Sequence, residues 1–333
     1  MSRIANRNVL FLRPGKLGDL VVATPFFQHI KTQEPSIRII IACSPQNSII
    51  VQNNPFVDEI RVVNFHSLMD VIRLILWIRK QHISHLIDLI PGFSRTSTLI
   101  ARFVRSKVTT IAGMHKHVGQ RYFNIVTNTE GSHIIERNRV LIETALGLKF
   151  TSDLRTELFP LEKHIQNVTT LLAKNNSQLP LVGINCSAGE SERQWGKEKY
   201  IELIGKLLKS YQNVTIVLFA IGEQVVWIRE IFSKANRIII VAGYDLHTVT
   251  AMIARLSLFI SPDTSLIHIA SGYKVPIVGL YCIDGENLVR WRAYNCISRE
   301  LVAGTTHNVN ELAVGAVVNA ADELLELGRL DKK

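Results

Sequence analysis

Two loop-to-helix segments hold the residues of this chain best suited to chemistry. The first is Arg13-Pro14-Gly15-Lys16-Leu17-Gly18-Asp19, set between apolar residues 9–12 and 20–23. The second is Ser261-Pro262-Asp263-Thr264-Ser265-Leu266-Ile267-His268, set between residues 256–260 and 269–270. Each reads as a strand, a tight turn and a helix start. Such a turn aims free backbone N–H groups and the positive end of a helix dipole into a cleft. A phosphate-bearing ligand suits that environment.

In the first segment, glycines let the backbone turn sharply and let another molecule approach. Asp19 then serves either as a helix cap or as a general base at the cleft. The turn lacks GxGxxG, which weighs against a dinucleotide-binding domain. In the second segment the amides and hydroxyls of Thr264 and Ser265 would cradle a phosphate. His268, four residues after Thr264, shares its helix face. The plainer alternative makes Asp263 a cap and His268 a core residue.

Three further places bear charge at strand ends. Cys186-Ser187-Ala188-Gly189-Glu190-Ser191-Glu192-Arg193-Gln194-Trp195 is a small-residue loop followed by an arginine. Arginine binds phosphate bidentately and keeps its charge, so the loop could clamp a diphosphate or simply lie on the surface. Gly222-Glu223 follows residues 214–219, where a carboxylate could read ribose hydroxyls or cap a helix. Arg95, after Asp88-Leu89-Ile90-Pro91-Gly92, could join Lys16, Lys116 and Arg121 in meeting an anionic acceptor.

The elements that must position these residues alternate in type. Strands are expected at 9–12, 37–42, 59–63, 86–89 and 108–111. Helices are expected at 19–31 (interrupted near Pro25), 44–53, 67–80 and 96–103. The rhythm restarts with strands at 181–186, 214–219, 237–241, 259–260 and 276–281. Helices there are expected at 197–209, 223–232, 246–256, from 264, and at 308–327. Such alternation implies parallel sheets with helices on both faces. The polar stretch 151–180 reads as a linker, dividing the chain into domains 1–160 and 161–333. The C-terminal helix could pack back on the first domain. Residues 68–78 are unusually apolar, and either pack on their own sheet or touch a membrane surface.

Composition bounds the alternatives. A length of 333 residues with 47% hydrophobic and 20% charged residues supports two ordinary cores. The four cysteines, Cys43, Cys186, Cys282 and Cys296, form no CxxC pair. They read as reduced thiols of a cytosolic protein rather than a zinc site or disulfide framework. The N-terminus lacks the apolar h-region of a signal peptide, and no apolar run reaches the roughly 18 residues of a membrane span. The formal charge of +10 favours an anionic partner. No basic run with interleaved aromatics, helix-turn-helix or zinc finger points to nucleic acid.

Taken together, the segments resemble the bacterial ADP-heptose:lipopolysaccharide heptosyltransferases of glycosyltransferase family 9. The matching pieces are Arg13 to Asp19 with Thr24-Pro25; Asp88 with Gly92 and Arg95; Arg193-Gln194-Trp195; Gly222-Glu223; and Ser261-Pro262-Asp263-Thr264 with His268. They occur in the family's order across nearly the whole chain. The resemblance implies a GT-B fold, α/β, with two facing Rossmann-like domains and parallel sheets. It implies an inverting single displacement with Asp19 as the base and Arg193 neutralising the leaving diphosphate. It assigns donor binding to Asp263, Thr264, His268 and Glu223, and acceptor binding to Arg95; the reading of the residues themselves adds Ser187 and Ser265 to the donor set and Lys16 and Arg121 to the acceptor set. ADP-heptose is then a co-substrate, and neither a cofactor nor a metal is expected. The acceptor is a phosphorylated lipid A–Kdo type molecule, and the anionic inner membrane is a peripheral partner on its cytoplasmic face.

Two departures stand out. Ser265 occupies a position that is usually glycine, and Tyr281-Cys282-Ile283-Asp284-Gly285 replaces a Gly-Pro-Thr-Asp-Pro-like loop. Two other readings remain at this point. One is a GT-B enzyme using another nucleotide sugar or a protein acceptor. The other is a non-catalytic basic α/β protein that binds polyanions.

Overall fold

The computed structural model describes residues 7–330 apart from 152, 176, 178–179, 283–284 and 305–306. Ile283 and Asp284 of the departing loop therefore lie outside the described residues. The chain divides into two units, Met1–Leu158 and Phe159–Lys333.

The first unit begins with β1 (Asn8–Arg13), α1 (Leu17–Val21), α2 (Pro25–Gln33), β2 (Arg38–Cys43), β3 (Glu59–Val62) and α3 (Leu68–Lys80). It continues with β4 (His85–Pro91), α4 (Arg95–Val104), β5 (Thr110–Met114), β6 (Ile125–Thr127) and α5 (Ile134–Leu146). The six strands form one parallel sheet in the order β3-β2-β1-β4-β5-β6. Residues 9–12 and 39–42 are buried on both faces, which explains their continuous apolar runs rather than alternation. One face is covered by α3 and α4 through Leu74, Ile78, Ile100 and Val104. On the other face, Phe11 meets Phe27 of α2 edge-on at 5.5 Å.

The second unit repeats the plan. It comprises α6 (Glu162–Lys174), β7 (Leu181–Asn185), α7 (Lys197–Ser210), β8 (Thr215–Phe219), α8 (Gln224–Phe232), β9 (Ile238–Val241) and α9 (Leu246–Ile253). Then follow β10 (Leu258–Pro262), α10 (Ser265–Gly272), β11 (Ile277–Tyr281), α11 (Gly285–Trp291), β12 (Ser298–Val302) and α12 (Val314–Leu330). Its parallel sheet has the order β12-β11-β10-β7-β8-β9. Val317, Ala321 and Leu324 of α12 lie in one core with Leu203 and Leu207 of α7, so the C-terminal helix is seated in its own unit.

Several elements differ from the sequence reading. The helix expected over 19–31 is two helices. Thr24 Oγ1 donates to the Val21 carbonyl at 2.7 Å, and Pro25 opens α2 at its first position, where its missing N–H costs nothing. Residues 44–53 make only one 3-10 turn, Ser48–Ile50. The stretch expected as linker contains α6, and β6, α5, α11 and β12 were not anticipated.

In each sheet the chain order reverses once, between β1 and β4 in the first and between β7 and β10 in the second. At such a point neighbouring loops leave in opposite directions and open a crevice outside the carboxyl ends of the strands. Asp19 follows β1 and Arg95 follows β4; Arg193 follows β7 and Asp263 follows β10.

Candidate functional site

At the first switch point, Asp19 is held from two sides. Arg13 Nη2 donates to Asp19 Oδ1 at 3.0 Å, and Arg13 Nε donates to the Asp19 carbonyl at 3.0 Å. The Lys16 N–H donates to Asp19 Oδ2 at 2.9 Å, so Asp19 also stabilises the start of α1. A carboxylate offers about four lone-pair sites, and these side-chain contacts use two. The Asp19 side chain keeps 25% of its surface, while Arg13 keeps 3%. The group is therefore fixed in orientation and open on one side, as a proton acceptor must be. Burial pulls the Arg13 guanidinium down from its ordinary pKa, with Asp19 and Asp88 opposing that shift.

Gly15 makes this possible. Its φ is +128°, and a Cβ there would stand 2.3 Å from Asp19 Oδ2. The turn is tied down by Asn47 Nδ2 donating to the Arg13 carbonyl at 3.1 Å and Gln46 Nε2 donating to the Gly15 carbonyl at 2.9 Å. Lys16 is exposed at the mouth of the turn.

Asp88 and Lys116 form a fully buried ion pair at 2.8 Å. Lys116 Nζ also donates to the carbonyls of Ile90 and Gly92 at 2.8 and 2.7 Å, and Asp88 Oδ1 accepts the Ile90 N–H at 3.0 Å. This corrects the sequence reading of Lys116 as an acceptor contact. With its charge consumed inside, Lys116 clamps the loop that leads to Arg95. Arg95 itself is exposed and begins α4, whose cap is Ser94 Oγ accepting from the Ser97 N–H at 3.2 Å. Arg95 and Arg121 line one depression of about 610 Å³ with Arg102, His117, Phe93 and Tyr122. Two of the three proposed acceptor residues thus share a cationic basin.

At the second switch point, Arg193 Nη1 lies 3.3 Å from Asp263 Oδ2 and donates to the Asp263 carbonyl at 3.3 Å. Its Nε lies 3.3 Å from Glu190 Oε2. Arg193 is carried on a 3-10 turn, Ser191–Arg193, whose position is fixed by the next residues. Trp195 is fully buried and its Nε1 donates to the Leu312 carbonyl at 3.0 Å, and Gln194 Nε2 donates to the Ala188 carbonyl at 2.7 Å. The arginine is thus presented on an anchored loop.

Thr264 caps α10 in extended conformation, so Ser265 and Leu266 contribute first-turn N–H groups that have no acceptor within the helix. Asn185, at the end of β7, was missed from the sequence and organises this corner. Its Nδ2 donates to Ser261 Oγ at 3.0 Å and Thr264 Oγ1 at 3.1 Å, and its Oδ1 accepts the Ser187 N–H at 3.2 Å. The available signal was a polar residue closing an otherwise apolar strand. Ser187 Oγ accepts the Ile221 N–H at 3.0 Å and so joins the loops after β7 and β8. His268 is buried beside the Trp291 ring at 5.9 Å. Glu223 precedes α8 and lines a separate depression of about 430 Å³ with Gln194, Lys197, Gln224 and Trp227.

The first unit therefore presents an oriented carboxylate and a cationic basin. The second presents an arginine beside a helix N-terminus, a combination that stabilises a departing anion. All four cysteines are free, and burial pushes the Cys43 thiol up to about 12. Among the described residues, no group of three or more His, Cys, Asp or Glu side chains is placed to hold a metal ion.

Known proteins share this architecture and part of this sequence. The family described as glycosyltransferase family 9 (heptosyltransferase) matches residues 73–311. Lipopolysaccharide heptosyltransferase 3 of Escherichia coli K12 is 22% identical over 287 residues, covering 83% of this chain and 82% of that protein. Among solved structures, a family 9 glycosyl transferase from Veillonella parvula superposes with a TM-score of 0.82 at 17% identity, covering 97% of this chain and 98% of its own. The E. coli heptosyltransferase WaaC, solved with ADP, has a TM-score of 0.75 at 17% identity, covering 96% and 98%. These two likenesses establish the fold as GT-B, with each unit described above a Rossmann-like half.

Proposed function

The chain belongs to glycosyltransferase family 9 and is a glycosyltransferase, and from that premise we propose that it transfers heptose from ADP-heptose to the phosphorylated inner core of a lipopolysaccharide or lipooligosaccharide. The name of the E. coli relative supports heptose and such an acceptor, and the ADP held by WaaC supports an adenine nucleotide. Asp19 precedes the residues matched by the family, and its role rests on geometry.

In this reading an acceptor hydroxyl gives its proton to Asp19 as its oxygen attacks the anomeric carbon. The bond from that carbon to the diphosphate oxygen breaks on the opposite face, and the configuration inverts. ADP departs carrying the electron pair of that bond. Its growing charge is met by Arg193 and by the first-turn amides of α10. The reading gives this neutralising role to Arg193 rather than to a metal ion. Asp263 aims the guanidinium, Asn185 orients Thr264, and Ser187 holds the loop after β7 against that after β8. Ser265 adds an amide at the start of α10, His268 backs that helix from within the core, and Glu223 takes the ribose hydroxyls. Arg95 and Arg121, with Lys16 at the mouth of the first turn, take the phosphates of the acceptor.

The observation that carries the reading is the placement of Arg193, anchored by Trp195, against the N-terminus of α10 at a topological switch point. Calorimetric titration with ADP-heptose, ADP, UDP and UDP-glucose tests it. Selective binding of the adenine nucleotides, tightest for ADP-heptose, is expected. Selective binding of UDP would replace the sugar, and no binding of any nucleotide would remove the donor site. Among the described residues no helix is long and apolar enough to cross a membrane. The proposed place of action is the cytoplasmic face of the inner membrane, with the protein held peripherally.

A further inference from the structure

The helix α3 has two apolar faces where its fold needs one. Successive residues turn by about 100°. Val71, Leu74, Ile75 and Ile78 therefore share one side, and they are buried in the core of the first unit. Leu68, Met69, Ile72 and Leu76 share the adjoining side, and their exposures run from 40% to 66%. A surface helix of a globular protein ordinarily shows one apolar stripe and a polar back. Packing on the sheet accounts for the first face and leaves the second without a partner among the described residues.

The outer border of that second face is cationic. Arg73 and Lys80 flank it there, both exposed, while Arg79 lies within the strip and its Nη1 donates to the Phe103 carbonyl at 2.6 Å. Asp70 is the only acid in the helix, and Arg73 Nη1 holds it at 3.0 Å. An apolar strip edged by cations matches the boundary of an anionic bilayer, with acyl chains below and phosphates at the rim. Each Lys or Arg near such a surface contributes about 1 kcal/mol, and the net charge of +10 acts in the same direction.

We propose that the Leu68–Met69–Ile72–Leu76 face of α3 docks this protein on an anionic lipid bilayer, with Arg73 and Lys80 on lipid phosphates. The placement serves the transfer proposed above and rests on that reading only for the lipid-linked acceptor. The helix starts just after the carboxyl end of β3. In a parallel sheet that is the edge at which Asp19, Arg95 and Arg121 also emerge. Docking through the first turns of α3 brings that edge towards the bilayer in which such an acceptor is anchored.

The test is co-sedimentation of the full-length protein with phosphatidylcholine vesicles and with vesicles that also contain phosphatidylglycerol. Binding to the mixed vesicles alone, weakened by salt, is expected. The triple variant Leu68→Ser, Ile72→Ser, Leu76→Ser and the double variant Arg73→Gln, Lys80→Gln should each lower partitioning by at least about tenfold. Both should keep the wild-type thermal midpoint and ADP-heptose affinity, because none of these side chains enters the core or the donor site. Absence of wild-type binding to mixed vesicles would overturn the proposal, as would equal binding by both variants. So would a dimer in light scattering that the serine variant abolishes while vesicle binding stays unchanged. Failure of ADP-heptose to bind, with vesicle binding intact, would instead remove the donor assignment and leave the docking face standing.

Discussion

Each unit sets an arginine–aspartate pair at its switch point, and the two pairs are built in opposite ways. In the first, the arginine is sealed and the acid is accessible, with side-chain exposures of 3% for Arg13 and 25% for Asp19. In the second, Arg193 is the more accessible partner at 34% and Asp263 the less at 19%. The exposed partner can meet a substrate, and the covered one can only hold it in place. In the proposed reading the same two residue types thus yield a base in one unit and an anion clamp in the other. Burial, rather than residue identity, decides which partner acts.

Removing the exposed partner of the first pair should have the largest effect. A positioned general base contributes about 10²–10⁴-fold, so Asp19→Asn should lower kcat by about 10³-fold while ADP-heptose affinity stays unchanged. Steady-state rates beside calorimetry would check this, and a variant with undiminished kcat would take the base role from Asp19. Arg193→Ala comes next. Loss of one preorganised donor to a developing charge costs about 10²-fold, and here KM for the donor should rise as kcat falls. If only KM changed, Arg193 would bind the donor equally before and during transfer.

Exchanging arginine for lysine sharpens the contrast between the pairs. Arg13 serves Asp19 with two different nitrogens, a fork that lysine lacks. Arg13→Lys should therefore lower kcat about tenfold by loosening the acid, as well as the thermal midpoint. Arg193→Lys retains a point charge for the diphosphate and should recover most of what Arg193→Ala loses. Equal losses in the two lysine variants would show that the pairs do not differ in the way their burial implies.

The architecture was legible because it is written in apolar runs. Residues 9–12, 39–42, 181–186 and 214–219 are buried on both faces, and such runs announce a parallel sheet without help from the rest of the chain. What escaped lacks that signal. Strand β6 has three residues and β12 is a half-buried edge. Helix α5 is capped by His133, whose Nδ1 accepts the Ile135 N–H in place of a conventional capping oxygen. Helix α6 buries only His164 and Val168 in a polar sequence, so it resembles a linker. Side-chain roles were harder to read, because they depend on neighbours remote in sequence. Lys116 looks like a surface cation until β5 is laid beside β4 and its ammonium meets Asp88. Asn185 gains its function only when β7 and β10 are adjacent. By contrast, Asp19 and Asp263 lie at helix starts that the local pattern already marks, and Arg193 follows a small-residue loop that is plain in the sequence.

The smallest effect concerns a carboxyl that has neither an arginine to hold it nor water to solvate it fully. Glu157 closes the first unit, and its N–H donates to Thr24 Oγ1 at 2.8 Å. Its Oε2 is buried and has no hydrogen-bond partner among the described residues. Burial pushes its pKa from 4.5 up to about 7, with the charge of Arg155 opposing. The folded chain thus keeps a proton that the unfolded chain releases. The sign follows from linkage: this contribution is fully present below about 4.5 and is lost as pH rises through about 7. Glu157→Gln mimics the protonated form and should remove that slope. Between about pH 5 and about pH 8 the wild-type thermal midpoint should drop by about 2–4 °C more than that of the variant. Parallel curves would mean that Glu157 finds compensation in solution, and that an acid buried without a cation is not, in this protein, the counterpart of one held by Arg13.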